Sequence, residues 1–275
     1  MKKAIYHDCC PHDMPLNKRF ELVARAGFDG LELGDQPGVF SVVKITGAEI
    51  AKLRKLSEKT VAITDVWFDD MWTKPLTHPD PAVRKNTLEG TKKAIQITAE
   101  LGGKSVLVVP GHVNEEVSHG QAWERSIAAI HELLPVAQKH GIKIGIETVW
   151  NKFLLSPREF REYLKEIGSP DVGIHFDTTN VCAWSYPWHW VEEVGDLFTS
   201  VHVAGCRANQ HFWGEASDWV SIFESDFDWK KVMLPLHKKG YAGWLIYDRN
   251  PYGAPYHEKG VHLMSKELDY LLSLK

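Results

Sequence analysis

Four polar side chains stand where four successive apolar runs of the sequence end. Glu147 closes Lys-Ile-Gly-Ile-Glu, Asp177 closes Val-Gly-Ile-His-Phe-Asp, His202 lies in Ser-Val-His-Val, and Asp248 follows Trp-Leu-Ile-Tyr. Three carboxylates at one point repel one another unless a cation neutralises them. The set suits one divalent metal ion as ligands, with Mn²⁺ the first choice and Mg²⁺, Co²⁺ or Zn²⁺ as alternatives. We expect no organic cofactor.

Each of these residues has a simpler interpretation when it is taken alone. A single acid at the end of a strand more often caps a helix or forms a surface ion pair. A single histidine in an apolar run is more often a core residue. Four such residues on consecutive runs are a much rarer coincidence, and together they favour a metal site.

A divalent ion at such a site predicts a specific chemistry. An ion that binds the vicinal oxygens of an α-hydroxy ketone or aldehyde acidifies the C–H bond between them and stabilises the enediolate. A carboxylate on each face of that plane can remove and return the proton, and Glu147 and Asp248 are the predicted pair. Return of the proton to the neighbouring carbon isomerises a sugar, whereas return to the opposite face of the same carbon epimerises it.

The elements that must position these residues alternate along the whole chain. The predicted strands are Lys3–His7, Gly30–Leu33, Val61–Val66, Ser105–Val109, Lys143–Glu147, Val172–Asp177, Ser200–Val203 and Trp244–Tyr247. Helical periodicity separates them, for instance over Pro81–Leu101 and Ala122–His140. The pattern predicts a single (β/α)8 TIM barrel over residues 1–275, with the polar residues at its C-terminal mouth. A doubly wound open sheet is the competing layout, but the G-x-G-x-x-G fingerprint that usually accompanies it is absent from the sequence.

Composition narrows the classes of function. The 275 residues include 32 Lys+Arg and 36 Asp+Glu, a formal charge of −4, whereas a nucleic-acid partner requires a concentrated basic face. No run approaches the roughly 18 apolar residues of a membrane helix, and the N-terminal segment lacks the apolar core of a signal peptide. Four cysteines predict no disulfide framework in a chain of this length. We therefore expect a cytoplasmic protein with a small-molecule partner, and neither a nucleic-acid nor a membrane partner.

Six motifs then follow one another in chain order. They are Gly27-Phe-Asp-Gly-Leu-Glu-Leu-Gly34, Gly145-Ile-Glu-Thr-Val-Trp-Asn-Lys-Phe-Leu-Leu-Ser-Pro157, Phe176-Asp-Thr-Thr-Asn180, Val201-His-Val203, Glu224-Ser-Asp-Phe-Asp-Trp229 and Tyr241-Ala-Gly-Trp-Leu245. Together they resemble the sugar phosphate isomerase/epimerase family, in the xylose-isomerase-like TIM-barrel superfamily that includes the ketose 3-epimerases. The resemblance implies a sugar substrate, metal ligands at Glu147, Asp177, His202 and Asp248, and a proton-transfer pair at Glu147 and Asp248. It also implies a homodimer or homotetramer.

Four positions depart from the family pattern. Asp248 stands where the family usually has Glu, and Asn180 stands where ketose 3-epimerases carry His. Ala204-Gly-Cys-Arg207 replaces a frequent Lys-Asp, and Glu224-Ser-Asp226 replaces Glu-Gly-Asp. Three functions therefore stay open: first an isomerase or epimerase, second a lyase or dehydratase that eliminates from a keto-sugar or cyclic keto-acid, and third a non-catalytic sugar-binding barrel. The metal-dependent abasic-site endonucleases of the same superfamily are disfavoured by the net charge.

The predicted mouth also carries candidates for substrate binding. They are Asn180, Arg207, His112, Trp150 and Lys152. Arg207 is preferred to Lys152 because it closely follows His202, although isolated basic residues are more often surface groups. Asn180 can hydrogen-bond a substrate oxygen but cannot exchange a proton near neutrality.

Aromatic residues are also concentrated near the predicted mouth. Eight tryptophans follow strands three, five, six and seven: Trp67, Trp72, Trp150, Trp184, Trp188, Trp190, Trp213 and Trp219. They predict a dry rim that packs against the C–H faces of a sugar, with a subunit interface as an equal alternative. The segment His-Asp-Cys-Cys-Pro-His from His7 to His12 is interpreted as pocket lining rather than as a second metal site.

Overall fold

A ring of eight parallel strands forms the centre of the computed structural model, which describes residues 1–207, 219–253 and 257–274. The strands in chain order are β1 (Lys2–Tyr6), β2 (Gly30–Gly34), β3 (Ala62–Trp67), β4 (Ser105–Val108), β5 (Lys143–Glu147), β6 (Val172–Asp177), β7 (Phe198–Val203), β8 (Gly205–Cys206), β9 (Trp219–Val220) and β10 (Trp244–Tyr247). All but β8 and β9 belong to the ring, in the order β3-β2-β1-β10-β7-β6-β5-β4, and β3 lies beside β4. The predicted TIM-barrel fold is confirmed.

Helices surround this ring and connect its strands. In chain order they are α1 (Leu16–Ala26), α2 (Gly47–Ser57), α3 (Asp70–Thr73), α4 (Pro81–Leu101), α5 (His119–His140), α6 (Pro157–Ile167), α7 (Thr178–Cys182), α8 (Pro187–Val194), α9 (Lys230–Lys238) and α10 (His257–Ser273). No helix in the described ranges is both long enough and apolar enough to cross a membrane.

Capping residues set the helix bounds. The α4 helix begins after the Asp80 cap and ends at Gly102, whose φ of 92° lies in the left-handed region that glycine tolerates, so both predicted ends are confirmed. The α5 helix begins at His119, three residues before the predicted start. The reason is a capping box in which Ser118 and Gln121 each bond the other's backbone N–H with a side chain.

The ring strands are buried because helices cover their outer faces and side chains fill the barrel. Every residue of β2, β4 and β6 is buried, which explains their near-continuous apolar runs. The first strand ends at Tyr6 rather than at the predicted His7, because the chain turns into a 3-10 helix over His7–Cys9. A two-stranded antiparallel ribbon of β8 and β9 follows the seventh ring strand and was not predicted.

Candidate metal centre and active site

Strand register brings the predicted ligands to one level of the barrel. In the parallel ladders Glu147 pairs with His175, Asp177 pairs with His202, and His202 pairs with Ile246. Paired residues of neighbouring parallel strands project from the same side of the sheet, and so do residues two apart on one strand. Glu147, Asp177 and His202, together with Asp248 two residues beyond Ile246, therefore project from the same side.

Three of these side chains converge closely. One ligand atom each from Glu147, Asp177 and His202 lies within 4.8 Å of the others, and all three residues are buried. Asp248 joins this group through His202, whose Nδ1 lies 3.9 Å from Asp248 Oδ2 and 3.8 Å from Asp177 Oδ2. The structure therefore places all four predicted ligands around one point, with Asp248 at its edge.

The same four side chains hold buried polar atoms that lack partners. In the described part of the chain, no hydrogen bond reaches Glu147 Oε2, Asp177 Oδ2, His202 Nδ1 or Asp248 Oδ1. A buried polar atom without a partner costs about 1–3 kcal/mol or more, so four beside one another indicate an absent binding partner. Three acidic oxygens and an imidazole nitrogen fit a divalent cation by number and by chemistry.

Burial and neighbouring acids raise the pKa of two carboxyl groups in this cluster, those of Glu147 and Asp248. Burial, together with the neighbouring Asp177 and Asp248, raises the pKa of Glu147 to about 8. Burial and Asp177 together raise the pKa of Asp248 to about 7. A bound cation would reverse both effects, because it favours the ionised carboxylates that coordinate it.

Glu32 fixes the orientation of the His202 ring. Its two carboxylate oxygens both lie 3.0 Å from His202 Nε2. A carboxylate only accepts hydrogen bonds, so Nε2 carries the donated proton and Nδ1 faces the cluster as the metal-binding nitrogen. Burial alone lowers the His202 pKa, but Glu32 and Asp177 raise it well above its ordinary value. Sequence analysis assigned Glu32 no role; the available signal was one charged residue in the otherwise apolar β2.

Two more buried polar residues accompany Glu32 inside the ring. His175 Nδ1 lies 3.8 Å from Asp65 Oδ2, and His175 Nε2 lies 4.0 Å from Glu32 Oε1. By spacing, Glu32, His175 and His202 could also hold an ion. Burial, however, raises the pKa of Asp65 and lowers that of His175, which favours two neutral side chains, and Glu32 is already engaged by His202.

A cavity of about 240 Å³ opens beside the predicted ligands. Seven charged or polar residues line it: Asp8, Glu32, Asp69, Glu147, His202, Asp248 and the unpredicted Arg249. Its other described walls are aromatic or apolar: Tyr6, Trp67, Trp72 and Leu107. Its size is near the lower end for small-molecule sites, which suits a compact ligand.

A larger groove lies elsewhere, on the outer face formed by α1 and α2. It measures about 550 Å³ and is lined by Leu16, Phe40, Ile45 and Leu53 among others. None of the strand-end residues contributes to it. The chemistry therefore belongs to the smaller cavity inside the barrel mouth.

Of the other candidates for substrate binding, Asn180 contacts the cluster directly, and Trp150 and His112 are partly buried. Asn180 is buried, and its Nδ2 donates to Thr148 O at 3.0 Å and to Glu147 Oε1 at 3.4 Å, so its amide holds Glu147 in place. Trp150 Nε1 donates to the Asn180 carbonyl at 3.3 Å. His112 contacts Trp72 edge-on, and its buried Nε2 lacks a partner in the described ranges.

The two basic candidates lie outside the cavity lining. Arg207 is about half exposed and forms an ion pair with Glu224 at 3.8 Å. Lys152 is exposed on the loop after β5, where its φ of 58° is in the left-handed region. Among the described residues, the arginine that lines the cavity is Arg249, which follows Asp248 directly and was not predicted from the sequence.

The predicted tryptophan rim is only partly present. Trp67 and Trp72 line the cavity, and Trp150 stacks on Trp219 at 5.6 Å. Trp190 is fully buried beside Phe160, so its assignment to the rim was wrong and it is a core residue. Trp184 and Trp188 are partly buried against the core, and Trp213 lies outside the described residues.

In the segment after the first strand, Asp8 lines the cavity as predicted, whereas His7 is buried and hydrogen-bonded in the core. His7 uses both ring nitrogens, Nε2 at 2.9 Å from Gly34 O and Nδ1 at 3.0 Å from Arg19 Nη1. Cys9 and Cys10 are buried. The Cys9 thiol contacts the Tyr247 carbonyl at 3.6 Å.

Comparison with known proteins assigns the chain to a family. The model of the xylose isomerase-like TIM barrel family matches residues 20–273. The chain belongs to this family. It is 24% identical over 259 residues to the D-psicose 3-epimerase of Ruminiclostridium cellulolyticum, a match that covers 90% of this chain and 83% of that protein. An uncharacterized Methanocaldococcus jannaschii protein is 27% identical over 166 residues, which cover 58% of this chain and just over half, 56%, of that relative.

Solved structures support the same fold. The chain superposes with a TM-score of 0.82 on the crystal structure of the IOLI protein with a binding zinc atom. That alignment covers 99% of this chain and 98% of the other at 16% sequence identity. At this identity the likeness concerns the barrel, and the site must be argued from its own residues.

Proposed function

We propose that this protein is a divalent-metal-dependent isomerase or epimerase that acts on a ketose through an enediolate. The observation that carries the proposal is a group of four buried ligand atoms without partners among the described residues, from Glu147, Asp177, His202 and Asp248, beside a small cavity. The epimerase activity of the Ruminiclostridium relative supports it. Mn²⁺ is our first choice of metal, and cytoplasmic location and assembly as a dimer or tetramer stay predictions.

Each residue of the site would have a distinct task. Glu147, Asp177, His202 and Asp248 would hold the cation, which when bound stabilises negative charge on two neighbouring substrate oxygens. Glu147 and Asp248 line the cavity, so their carboxylates would remove the substrate proton and return it. Asn180 keeps the Glu147 carboxylate in place by its hydrogen bond, and Glu32 does the same for the His202 ring.

The aromatic walls would protect the charged intermediate from water. Trp67 and Trp72 line the cavity, and Tyr6 packs against Trp67 with ring centres 5.5 Å apart. Apolar ring faces pack well against the C–H face of a sugar. A dry wall also strengthens the electrostatic interactions that stabilise an enediolate.

A lyase that eliminates from the same enediolate is the second candidate. The observations that favour it are Asn180, whose amide holds Glu147 and cannot transfer a proton, and Asp248, which is one methylene shorter than the family's usual glutamate. Either feature can alter the fate of the intermediate without altering its formation.

Proton-exchange NMR tests the proposal. Protein stripped with EDTA and reloaded with Mn²⁺, Mg²⁺, Co²⁺ or Zn²⁺ is incubated in D₂O with a panel that includes D-psicose, other ketoses, their phosphates and cyclic keto-acids. We expect deuterium to enter a carbon-bound position in a metal-dependent manner, with an epimer or aldose as product. Glu147→Gln should abolish exchange, whereas Glu115→Gln, on an exposed segment, should retain it.

Each other outcome has a defined meaning. Loss of water from the substrate without an epimer supports the lyase. Metal-dependent sugar binding without exchange supports a non-catalytic barrel. Full exchange by Glu147→Gln excludes this residue as the base.

A further inference from the structure

Arg249 supplies a positive side chain to the cavity wall. It directly follows Asp248 at the end of β10 and lines the cavity together with Glu147 and His202. Its Nε lies 3.3 Å from Asp248 Oδ2. Arg207, the arginine predicted from the sequence, is paired with Glu224 and is not among the described residues that line the cavity.

Two stacked indoles hold the Arg249 guanidinium. Its central carbon lies 4.4 Å from the ring centre of Trp219, within the range of a cation–π contact. Trp219 stacks on Trp150 with ring centres 5.6 Å apart and an interplanar angle of 26°. Trp150 is itself tied to the Asn180 carbonyl by its indole N–H. The guanidinium is therefore pre-oriented rather than free to rotate, which lowers the entropic cost of binding a ligand.

Among the described residues, the guanidinium has donors left for a ligand. An arginine carries five N–H donors, and Nε faces Asp248 in the ion pair. Within residues 1–207, 219–253 and 257–274, no protein acceptor is hydrogen-bonded to the Nη groups of Arg249. A planar, pre-oriented donor in a cavity beside a predicted proton-transfer pair is the arrangement expected of a group that orients a substrate oxygen.

The charges of the cavity indicate what kind of substrate it accepts. A divalent cation and Arg249 would together balance the three carboxylates of Glu147, Asp177 and Asp248. Three further acids also line the cavity: Glu32, which is paired with His202, and Asp8 and Asp69. Carboxylates accept hydrogen bonds from hydroxyl groups but repel a phosphate or a carboxylate of the ligand.

This inference rests on the proposed function. We propose that Arg249 binds and orients the substrate, which is an uncharged polyhydroxy ketone. Its Nη groups donate hydrogen bonds to an oxygen of that substrate, while its Nε remains paired with Asp248. Asp8 and Asp69 accept hydrogen bonds from hydroxyl groups of the same substrate. Arg249 thus determines specificity, and the acidic wall selects against phosphorylated sugars.

Substitution of Arg249, with a surface arginine as control, tests this role. In Mn²⁺-loaded protein, Arg249→Lys keeps the charge but loses the planar donor fork, and Arg249→Gln loses both. Charge-assisted hydrogen bonds of this kind are worth about 10- to 100-fold in binding. We expect KM, and the dissociation constant measured by tryptophan fluorescence, to rise about 10-fold for Arg249→Lys and about 100-fold for Arg249→Gln. Arg158→Gln, at an 87% exposed position on α6, is the control for the loss of one arginine, and its KM should change less than twofold.

Further measurements separate substrate binding from an indirect effect on the metal. The Mn²⁺ affinity of Arg249→Lys, measured by calorimetry, should stay within about threefold of the wild type. Loss of kcat and of metal affinity at unchanged KM would show that Arg249 acts only through Asp248, and would overturn the proposal. Circular dichroism of both variants checks that they fold.

The substrate class has its own measurement, which also separates this proposal from the proposed function. The wild type is titrated with D-psicose, other ketohexoses and ketopentoses, and their phosphate esters. Uncharged sugars should bind with lower dissociation constants than their phosphate esters. Asp69→Asn should reduce the ratio between the two dissociation constants. Binding of phosphates alone, or of no uncharged sugar, would overturn the inference. Sugar binding that depends on Arg249 without C–H exchange would leave the inference standing and refute the proposed function.

Discussion

Glu147→Gln should stabilise the protein in the absence of metal while it destroys the metal site. The Glu147 carboxyl is buried, and its Oε2 lacks a partner in the described part of the chain. Glutamine has the same shape and can still accept the hydrogen bond that Asn180 donates. The substitution therefore removes a buried negative charge without creating a void.

The pKa of Glu147 sets the size of the effect and its sign. Burial and the neighbouring acids raise this pKa from 4.5 to about 8, so between these values the folded protein binds a proton that the unfolded chain has lost. Stability of the metal-free protein must then fall as the pH rises. At about 1.4 kcal/mol per pKa unit, the Glu147 carboxyl lowers the free energy of unfolding of the metal-free protein by about 1 kcal/mol at pH 5.5. At pH 7.5 the reduction is on the order of 4 kcal/mol.

Urea denaturation in EDTA measures this difference. The stability advantage of Glu147→Gln over the wild type should grow by about 3 kcal/mol from pH 5.5 to pH 7.5. Glu115→Gln, at an exposed position, controls for the loss of one negative charge and should track the wild type at both values. An advantage that stays constant with pH, or a less stable variant at pH 7.5, would refute the reasoning.

Three further predictions concern the metal and the cavity. A thermal-shift assay should show that the rise in Tm on adding Mn²⁺ is larger at pH 8 than at pH 6. The reason is that protons bound to Glu147 and Asp248, whose pKa values are raised, compete with the cation. An equal rise in Tm at both pH values would contradict this. Glu32→Gln should weaken Mn²⁺ binding about 10- to 100-fold in calorimetry, because His202 Nε2 loses its carboxylate partner, and unchanged affinity would show that Glu32 does not orient the ring. Gly34→Ala should weaken sugar binding at least about tenfold and leave the metal affinity unchanged. The reason is that the added Cβ would lie 2.5 Å from Trp67 Cε2 and displace that wall of the cavity. An unchanged KM would show that the indole does not shape the site.

Much of the barrel was predictable because its signals are local. A parallel strand covered on both faces reads as a short apolar run, and a helix begins at a capping residue and ends at a glycine, as Asp80 and Gly102 show. The start of α5 was missed because the Ser118 capping box precedes the apolar stripe by which the helix was recognised. Placing Glu147, Asp177 and His202 together needed only the rule that the carboxyl ends of barrel strands meet at one mouth.

Local sequence patterns were therefore enough to predict the barrel, the level of its polar residues and the chemistry that such a set permits. Which polar groups meet one another across the ring depends on the three-dimensional arrangement of the strands. Glu32 and His202 are 170 positions apart in the chain yet share a hydrogen bond, and no local pattern encodes that contact. Arg207 and Arg249 are equally basic in the sequence, and only side-chain packing turned one toward Glu224 and stacked the other on Trp219 beside the cavity. Periodicity records which residues are buried, whereas the partners of a buried group depend on how distant strands are brought together.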